Sequence, residues 1–133
     1  MSTREDLQAW LALEHEAVWL YGLIGARVDS LAEPALTSFE AHRAARDRLR
    51  AVVRNGGGQP VGPALTYGDE LFDSRRTARA AARDVENRVA AACLTLLGTG
   101  DEGIGRFAMA GLRRAALASL DWGADPIAFP GLD

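Results

Sequence analysis

The sequence predicts an all-α protein, a bundle of four helices arranged as two antiparallel hairpins that a long crossover loop joins. Three observations support this prediction. Apolar residues recur at helical spacing in four separate segments, and no segment alternates between apolar and polar residues over the length of a strand. The connections within each hairpin are short, whereas the connection between the hairpins is long and rich in glycine and proline. The length of 133 residues fits a single domain, 1–133.

The first hairpin is predicted to consist of helices at about 3–31 and 34–54. Ser2 and Glu5 form the pattern of a capping box, which marks the start of the first helix. Pro34 is favourable in the first turn of a helix, so it marks the start of the second.

The second hairpin is predicted to consist of helices at about 74–97 and 102–122. Gly98 and Gly123 each follow the last apolar residue of the preceding helix, where glycine commonly ends a helix. Residues 123–133 form an irregular tail.

The loop at 55–73 is long enough to run the whole length of the bundle. Fully extended it reaches roughly 60 Å, at about 3.3 Å per residue, while a helix of twenty residues spans only about 30 Å. A full-length crossover is the connection of ferritin-like bundles rather than of simple up-and-down bundles. We expect the apolar residues of the loop to pack along the outside of the bundle: Val61, Leu65, Tyr67, Leu71 and Phe72.

Composition excludes several broad functional classes. The formal net charge of −3 argues against binding nucleic acid over the whole surface, because that affinity comes mainly from neutralised phosphates. Cys93 is the only cysteine, so neither an intrachain disulfide nor a cysteine-based zinc site is expected. The N-terminus lacks a signal pattern and charges interrupt the longest apolar run, so we expect a cytoplasmic protein that does not enter a membrane.

Three segments resemble a known bacterial family, ferritin-like domains of unknown function. They are LEHEAVWLYGLIGAR at 13–27, AHRAARDRL at 41–49 and AFPGL at 128–132, and the resemblance extends over nearly the whole chain. It implies a ferritin-like four-helix bundle and implies no activity.

Five residues are predicted to form a buried polar network: Glu14, Tyr21, His42, Arg46 and Glu86. At about 1.5 Å of rise per residue, Tyr21 and His42 lie within about 2 Å of one level, and the other three lie lower, within roughly 6 Å of each other. A buried ionised acid needs a partner. We therefore predict a Tyr21–His42 hydrogen bond and a salt bridge in which Arg46 lies between the two carboxylates.

The same acids raise the alternative of a metal centre. A di-iron bundle uses one glutamate from each of two helices and a Glu-x-x-His pair from each of the other two. The residue three positions before His42 is Phe39, and the inner face of the fourth helix has no Asp, Glu or His. The sequence therefore favours no metal and no other cofactor. The alternative is a degenerate site in which Glu14, His42 and Glu86 hold a single metal ion.

The outer face of the first helix is apolar as well, which is unusual for a surface helix. Trp19, Leu20 and Leu23 lie on this side, and His15 beside Trp19 is expected at a surface or an interface. Either more of the chain or another subunit must cover such a face. We predict a homodimer through the first helix, with partial cover by the crossover loop as the alternative.

Three functional classes follow, in order of preference. The first is a non-catalytic binding or structural module that acts as a homodimer. The second is an oxidoreductase or metal-storage protein with the single-metal site described above. The third is a carrier or sensor that binds a small molecule in space left beside Gly111. Arg43, Arg50 and Arg54 on the second helix also suit an anionic ligand, although such a charged run is more often a solvated face.

Overall fold

The structure, a computed structural model, describes residues 2–68, 72–99 and 101–125. Within these ranges it contains four long helices and no strand, so the prediction of an all-α four-helix bundle is confirmed. The helices are α1 (Thr3–Arg27), α2 (Ala32–Asn55), α3 (Arg75–Leu96) and α4 (Glu102–Asp121). Leu71 of the loop and the AFPGL segment of the tail lie outside the described residues. None of the described helices combines the length and apolar character needed to cross a bilayer.

The junction between α1 and α2 differs from the prediction. α1 ends at Arg27 because Val28 is extended, with φ −123° and ψ 91°, and a 3₁₀ turn at Asp29–Leu31 follows. α2 then begins at Ala32, so Pro34 lies within its first turn, where a missing N–H costs no helical hydrogen bond. No glycine marks Val28 as a helix end, which is why the pattern of apolar residues extended the first helix too far.

Hydrogen bonds between helix ends show how the hairpins run. Arg4 Nη2 donates to the Gly56 carbonyl at 2.7 Å, which places the start of α1 beside the end of α2. Arg83 Nη1 donates to the Trp122 carbonyl at 2.9 Å, which places the first half of α3 beside the end of α4. Both hairpins are therefore antiparallel, and α1 and α3 pack against each other to join them.

The crossover loop follows α1 along the bundle. Near the start of α1, Gln8 donates to the Gln59 carbonyl and accepts from the Val61 N–H. Further along, the rings of Trp19 and Tyr67 lie 5.3 Å apart, and Phe72 is buried in the core beyond the undescribed stretch. The prediction that the loop's apolar residues pack on the bundle is wrong for Val61 and Leu65, because both side chains are exposed.

Gly111 brings α4 close to α1. A Cβ atom at this position would lie 2.5 Å from Trp10 Cζ2 and 2.8 Å from Cys93 Sγ, closer than side chains can approach. The Trp10 indole therefore fills the space directly over Gly111. The cavity that Gly111 does line has a volume of only about 50 Å³, far below that of a small-molecule site.

Gly111→Ala is expected to lower the free energy of unfolding by about 1–3 kcal/mol, because the added methyl group overpacks the buried contact with Trp10. Gly105→Ala on the same helix is the matched control, since nothing lies within 4 Å of its Cβ position. The free energy of unfolding of the control variant should increase by about 0.5–1 kcal/mol, because glycine within a helix destabilises by this amount relative to alanine. Urea denaturation of both variants tests this, and equal effects of one sign would contradict it.

Candidate functional site

A histidine bridges two buried carboxylates in the middle of the bundle. His42 Nδ1 lies 2.5 Å from Glu14 Oε2, and His42 Nε2 lies 2.8 Å from Glu86 Oε2. The two glutamates are each 1% exposed and the histidine is 8% exposed. Because the three residues come from α1, α2 and α3, the bridge ties three helices together at one level.

Neutral donors complete the hydrogen bonding of both carboxylates. Trp10 Nε1 donates to Glu14 Oε1 at 2.9 Å, and the Tyr21 hydroxyl donates to Glu86 Oε2 at 2.5 Å. The Tyr21 ring also stacks on His42, with centroids 5.4 Å apart. We call these five residues, Trp10, Glu14, Tyr21, His42 and Glu86, the buried polar cluster. Every member is held by at least one other.

The electrostatics of the cluster favour a charged imidazole. Burial by itself lowers the pKa of His42, but hydrogen bonds and charge from Glu14 and Glu86 outweigh it and raise the pKa to about 10. Burial and the neighbouring Glu86 raise the pKa of Tyr21, so its hydroxyl keeps its proton and donates. At neutral pH an imidazolium therefore lies between the two carboxylates.

Two contacts predicted for this network are wrong. Arg46 does not reach Glu14 or Glu86; its guanidinium pairs with Asp47, with Nη2 3.0 Å from Oδ1. It lies one turn beyond His42 on the flank of α2, where a long side chain can keep its charge in water and avoid the cost of burial. The predicted Tyr21–His42 hydrogen bond is replaced by ring stacking, because the hydroxyl reaches Glu86 instead.

The geometry of the cluster does not suit a metal ion. Glu14 contacts Nδ1 and Glu86 contacts Nε2 of the His42 ring, so each ring nitrogen is already engaged by one carboxylate. In the part of the chain that the structure describes, no three His, Cys, Asp or Glu residues are grouped to hold a metal. On α4 the positions that face the core are Ala108, Gly111 and Ala115, which offer no ligand.

His15, which the sequence placed at a surface or an interface, lies where the crossover loop covers α1. Its side chain is buried and Nε2 lies 2.9 Å from the Val61 carbonyl oxygen, which accepts a hydrogen bond when that nitrogen carries the proton. Burial lowers the pKa of His15 despite this contact. The contact between His15 and Val61 therefore anchors the loop to α1.

The residues predicted as a dimer interface are largely covered within the chain. Leu20 is 4% exposed and belongs to the core, so its place in the predicted interface is wrong. Trp19 contacts Tyr67 of the loop, and Leu23 packs against the core as a partly buried side chain. The pattern of apolar residues on α1 thus reflects cover by the crossover loop.

A groove of about 680 Å³ runs between α3 and α4, and sequence reasoning missed it. Small residues on both helices leave the groove unfilled: Ala80, Ala90, Ala115, Ala116 and Gly123. Leu120 and Ala124 also line the groove, near the end of α4. The polar and charged residues of the lining are Arg83, Asp84, Glu86, Asn87, Ser119 and Asp125. The alanines that α3 and α4 present to each other were the sequence feature that could have predicted the groove. Alanines at helical spacing also indicate closely packed helices, so the feature is ambiguous.

A smaller cavity of about 50 Å³ lies beside the buried polar cluster, and Glu14, His42 and Glu86 all line it. Arg114 and Ser38 contribute to its wall. Its volume exceeds what one water molecule needs, and the groove between α3 and α4 is the larger space.

Comparison with known proteins gives a family and a fold. A family model described as a domain of unknown function, DUF4439, matches residues 6–133. A conserved hypothetical protein from Mycobacterium tuberculosis, rv2844, has a crystal structure that superposes with a TM-score of 0.83 at 23% identity, covering 94% of this chain and 93% of that chain. No curated protein matches the chain.

Proposed function

Since the chain belongs to the DUF4439 family of domains of unknown function, we propose that it is a non-catalytic binding module built on a ferritin-like bundle. The observation that carries this proposal is the hydrogen bonding of the buried polar cluster. His42 contacts Glu14 through Nδ1 and Glu86 through Nε2, so both ring nitrogens are paired with a carboxylate. Neither carboxylate is left free to act as a base or as a metal ligand. A proton on His42 provides one positive charge between the two carboxylates.

The residues present do not fit a di-iron centre. Such a centre needs two glutamates and two Glu-x-x-His pairs, and this chain has Phe39 in place of the glutamate that should precede His42. The described part of α4 places no acid or histidine on its core face. The single-metal alternative at Glu14, His42 and Glu86 would require the imidazole to leave at least one carboxylate.

Elemental analysis of protein purified without chelators tests this part of the proposal. We expect iron, manganese and zinc to be clearly substoichiometric, because the His42 side chain already lies between the two carboxylates and carries a positive charge next to both. Glu86→Gln is the matched control, since it removes a carboxylate from the cluster. A stoichiometric metal that is lost in Glu86→Gln would favour the metal-binding alternative instead.

The groove between α3 and α4 supports the binding function. Its volume of about 680 Å³ falls within the roughly 300–1,000 Å³ of small-molecule sites. Such sites combine apolar walls with a few polar groups that orient the ligand, and the alanines with Arg83, Ser119 and Asp125 provide this combination. The ligand is therefore expected to be a small organic molecule.

Ligand-induced thermal shifts with a fragment collection test the groove. Ala116→Leu should abolish the shift of any fragment that binds there, because Ala116 lines the groove and the larger side chain fills it. Ala110→Leu is the control, since Ala110 lies on the same helix and is exposed. If no fragment distinguishes the two variants, the groove is not a binding site.

We also propose that the module is a homodimer, but through α4 and not through the first helix as the sequence predicted, because three of the exposed large apolar side chains among the described residues lie on α4. Met109, Leu117 and Leu120 are each at least 40% exposed. Light scattering should give twice the chain mass of 14.2 kDa, and Leu117→Arg should halve it. Leu36→Arg, which changes an equally exposed leucine on α2, should leave the dimer intact, and a monomeric wild-type protein would contradict the proposal.

A further inference from the structure

The charges that line the groove between α3 and α4 gather at the end where α4 stops. Arg83, Asp84 and Asp125 lie there, while Ala90, Ala115 and Ala116 line the other end. Glu86 also contributes to the wall, but its carboxylate faces Tyr21 and His42 inside the bundle. The groove therefore has one charged end and one apolar end.

Only two of these charges lack an ionic partner within the described residues. Asp84 accepts from Arg88 Nε at 3.0 Å, and Glu86 is paired with His42. Neither Arg83 nor Asp125 forms an ion pair in the part of the chain that the structure describes. One positive and one negative group are thus available at the same end of the groove.

Arg83 is fixed in place before any ligand binds. Its Nη1 donates to the Trp122 carbonyl at 2.9 Å and lies 3.4 Å from the position that a Cβ atom would occupy on Gly123. Gly123 has φ 99°, a conformation that glycine adopts without strain. A guanidinium carries five N–H donors, so this contact leaves others for a ligand. The C-terminal end of α4 carries partial negative charge, which together with Asp125 favours a cation.

We propose that the groove binds a free amino acid with a large apolar side chain, an inference that rests on the binding function proposed above. The carboxylate of the ligand binds Arg83 through paired hydrogen bonds. Its ammonium lies toward Asp125 and the end of α4, and its side chain lies over the alanines. A free amino acid carries a carboxylate for Arg83 and an ammonium for Asp125, whereas a fatty acid or an amine carries only one of these groups.

Isothermal titration with three probes tests the charge pattern. The probes are L-phenylalanine, 3-phenylpropionate, which lacks the ammonium, and phenethylamine, which lacks the carboxylate. We expect L-phenylalanine to bind about tenfold or more tightly than either analogue, because each lost charge removes a charge-assisted hydrogen bond. Equal binding of L-phenylalanine and either analogue would overturn the inference.

Variants assign each charge to its residue. Arg83→Gln should weaken L-phenylalanine about tenfold or more and leave phenethylamine unchanged, while Asp125→Asn should weaken L-phenylalanine and leave 3-phenylpropionate unchanged. Arg48→Gln, which changes an exposed arginine on α2, is the control and should bind all probes as wild type. If Arg83→Gln does not fold, Asp125→Asn and the probe series decide the question. Binding of L-phenylalanine that neither substitution weakens would contradict the assignment.

The outcomes separate this inference from the proposed function. If fragments bind in a manner that Ala116→Leu blocks but L-phenylalanine does not bind, the amino-acid ligand is wrong and the binding function stands. If no compound is sensitive to Ala116→Leu, both are wrong.

Discussion

His42→Ala is expected to lower the free energy of unfolding by about 3–5 kcal/mol, the largest effect of any single substitution considered. The change leaves Glu14 and Glu86 inside the bundle without their cation, and removing one partner from a buried ion pair costs about this much. The substitution also removes the only side chain of the cluster that contacts both glutamates. Urea denaturation at pH 7, followed by circular dichroism, measures the loss.

A triple variant separates charge from packing in this experiment. His42→Leu combined with Glu14→Gln and Glu86→Gln removes all three charges, and uncharged replacements of buried ion pairs are often tolerated. It should therefore be more stable than His42→Ala. Glu40→Gln, an exposed glutamate on α2, is the surface control and should stay within about 0.5 kcal/mol of wild type. A His42→Ala variant as stable as this control would show that the buried carboxylates do not depend on the imidazolium.

The sequence predicted the fold because the fold depends on features that a sequence displays directly. Apolar residues at helical spacing located the helices, and the length of the loop at 55–73 predicted its path along the bundle. Trp19 was read as a contact for another subunit because its apolar character shows only that something covers it. Contact with Tyr67 identifies the cover as the chain's own loop.

The sequence predicted that the two glutamates lie on the core faces of their helices. It did not show whether Arg46 or His42 is the cation that pairs with them. Glu14 and Glu86 were expected to be buried and to share a partner, and the structure brings them together through a histidine. Arg46 and His42 are separated by one helical turn, and periodicity cannot show which side chain turns toward the core. The shorter imidazole remains at the centre of the stripe, whereas the guanidinium reaches solvent and Asp47.

The groove was missed for a different reason. Ala115 and Ala116 on α4 and Ala80 and Ala90 on α3 indicate close approach of two helices, and the distance between those helices is a property of the whole bundle. Only the assembled structure shows that the small residues leave space between them.

Stability is expected to fall as the pH rises from about 6.5 toward 10, and His42 is the cause. Its pKa is raised from 6.5 to about 10 in the folded protein. The folded state therefore holds a proton that the unfolded state has released at these pH values. The stabilisation is fully present below about pH 6.5 and is lost as the pH rises through the folded value. The slope approaches about 1.4 kcal/mol per pH unit, the limit for one proton.

Measurements between pH 6.5 and 8.5 isolate this histidine from the other titrating groups. The pKa of His15 is lowered by burial, so its contribution to stability rises with pH and has the opposite sign to that of His42. Burial raises the pKa of Cys93 to about 12, and its ordinary value of 9.0 in the unfolded chain lies above the window. Urea denaturation of wild type at several pH values should show the decline, and the triple variant that lacks His42, Glu14 and Glu86 should not. A wild-type protein whose stability stays constant across this range would mean that His42 holds no extra proton in the folded state, and the proposed imidazolium would be wrong.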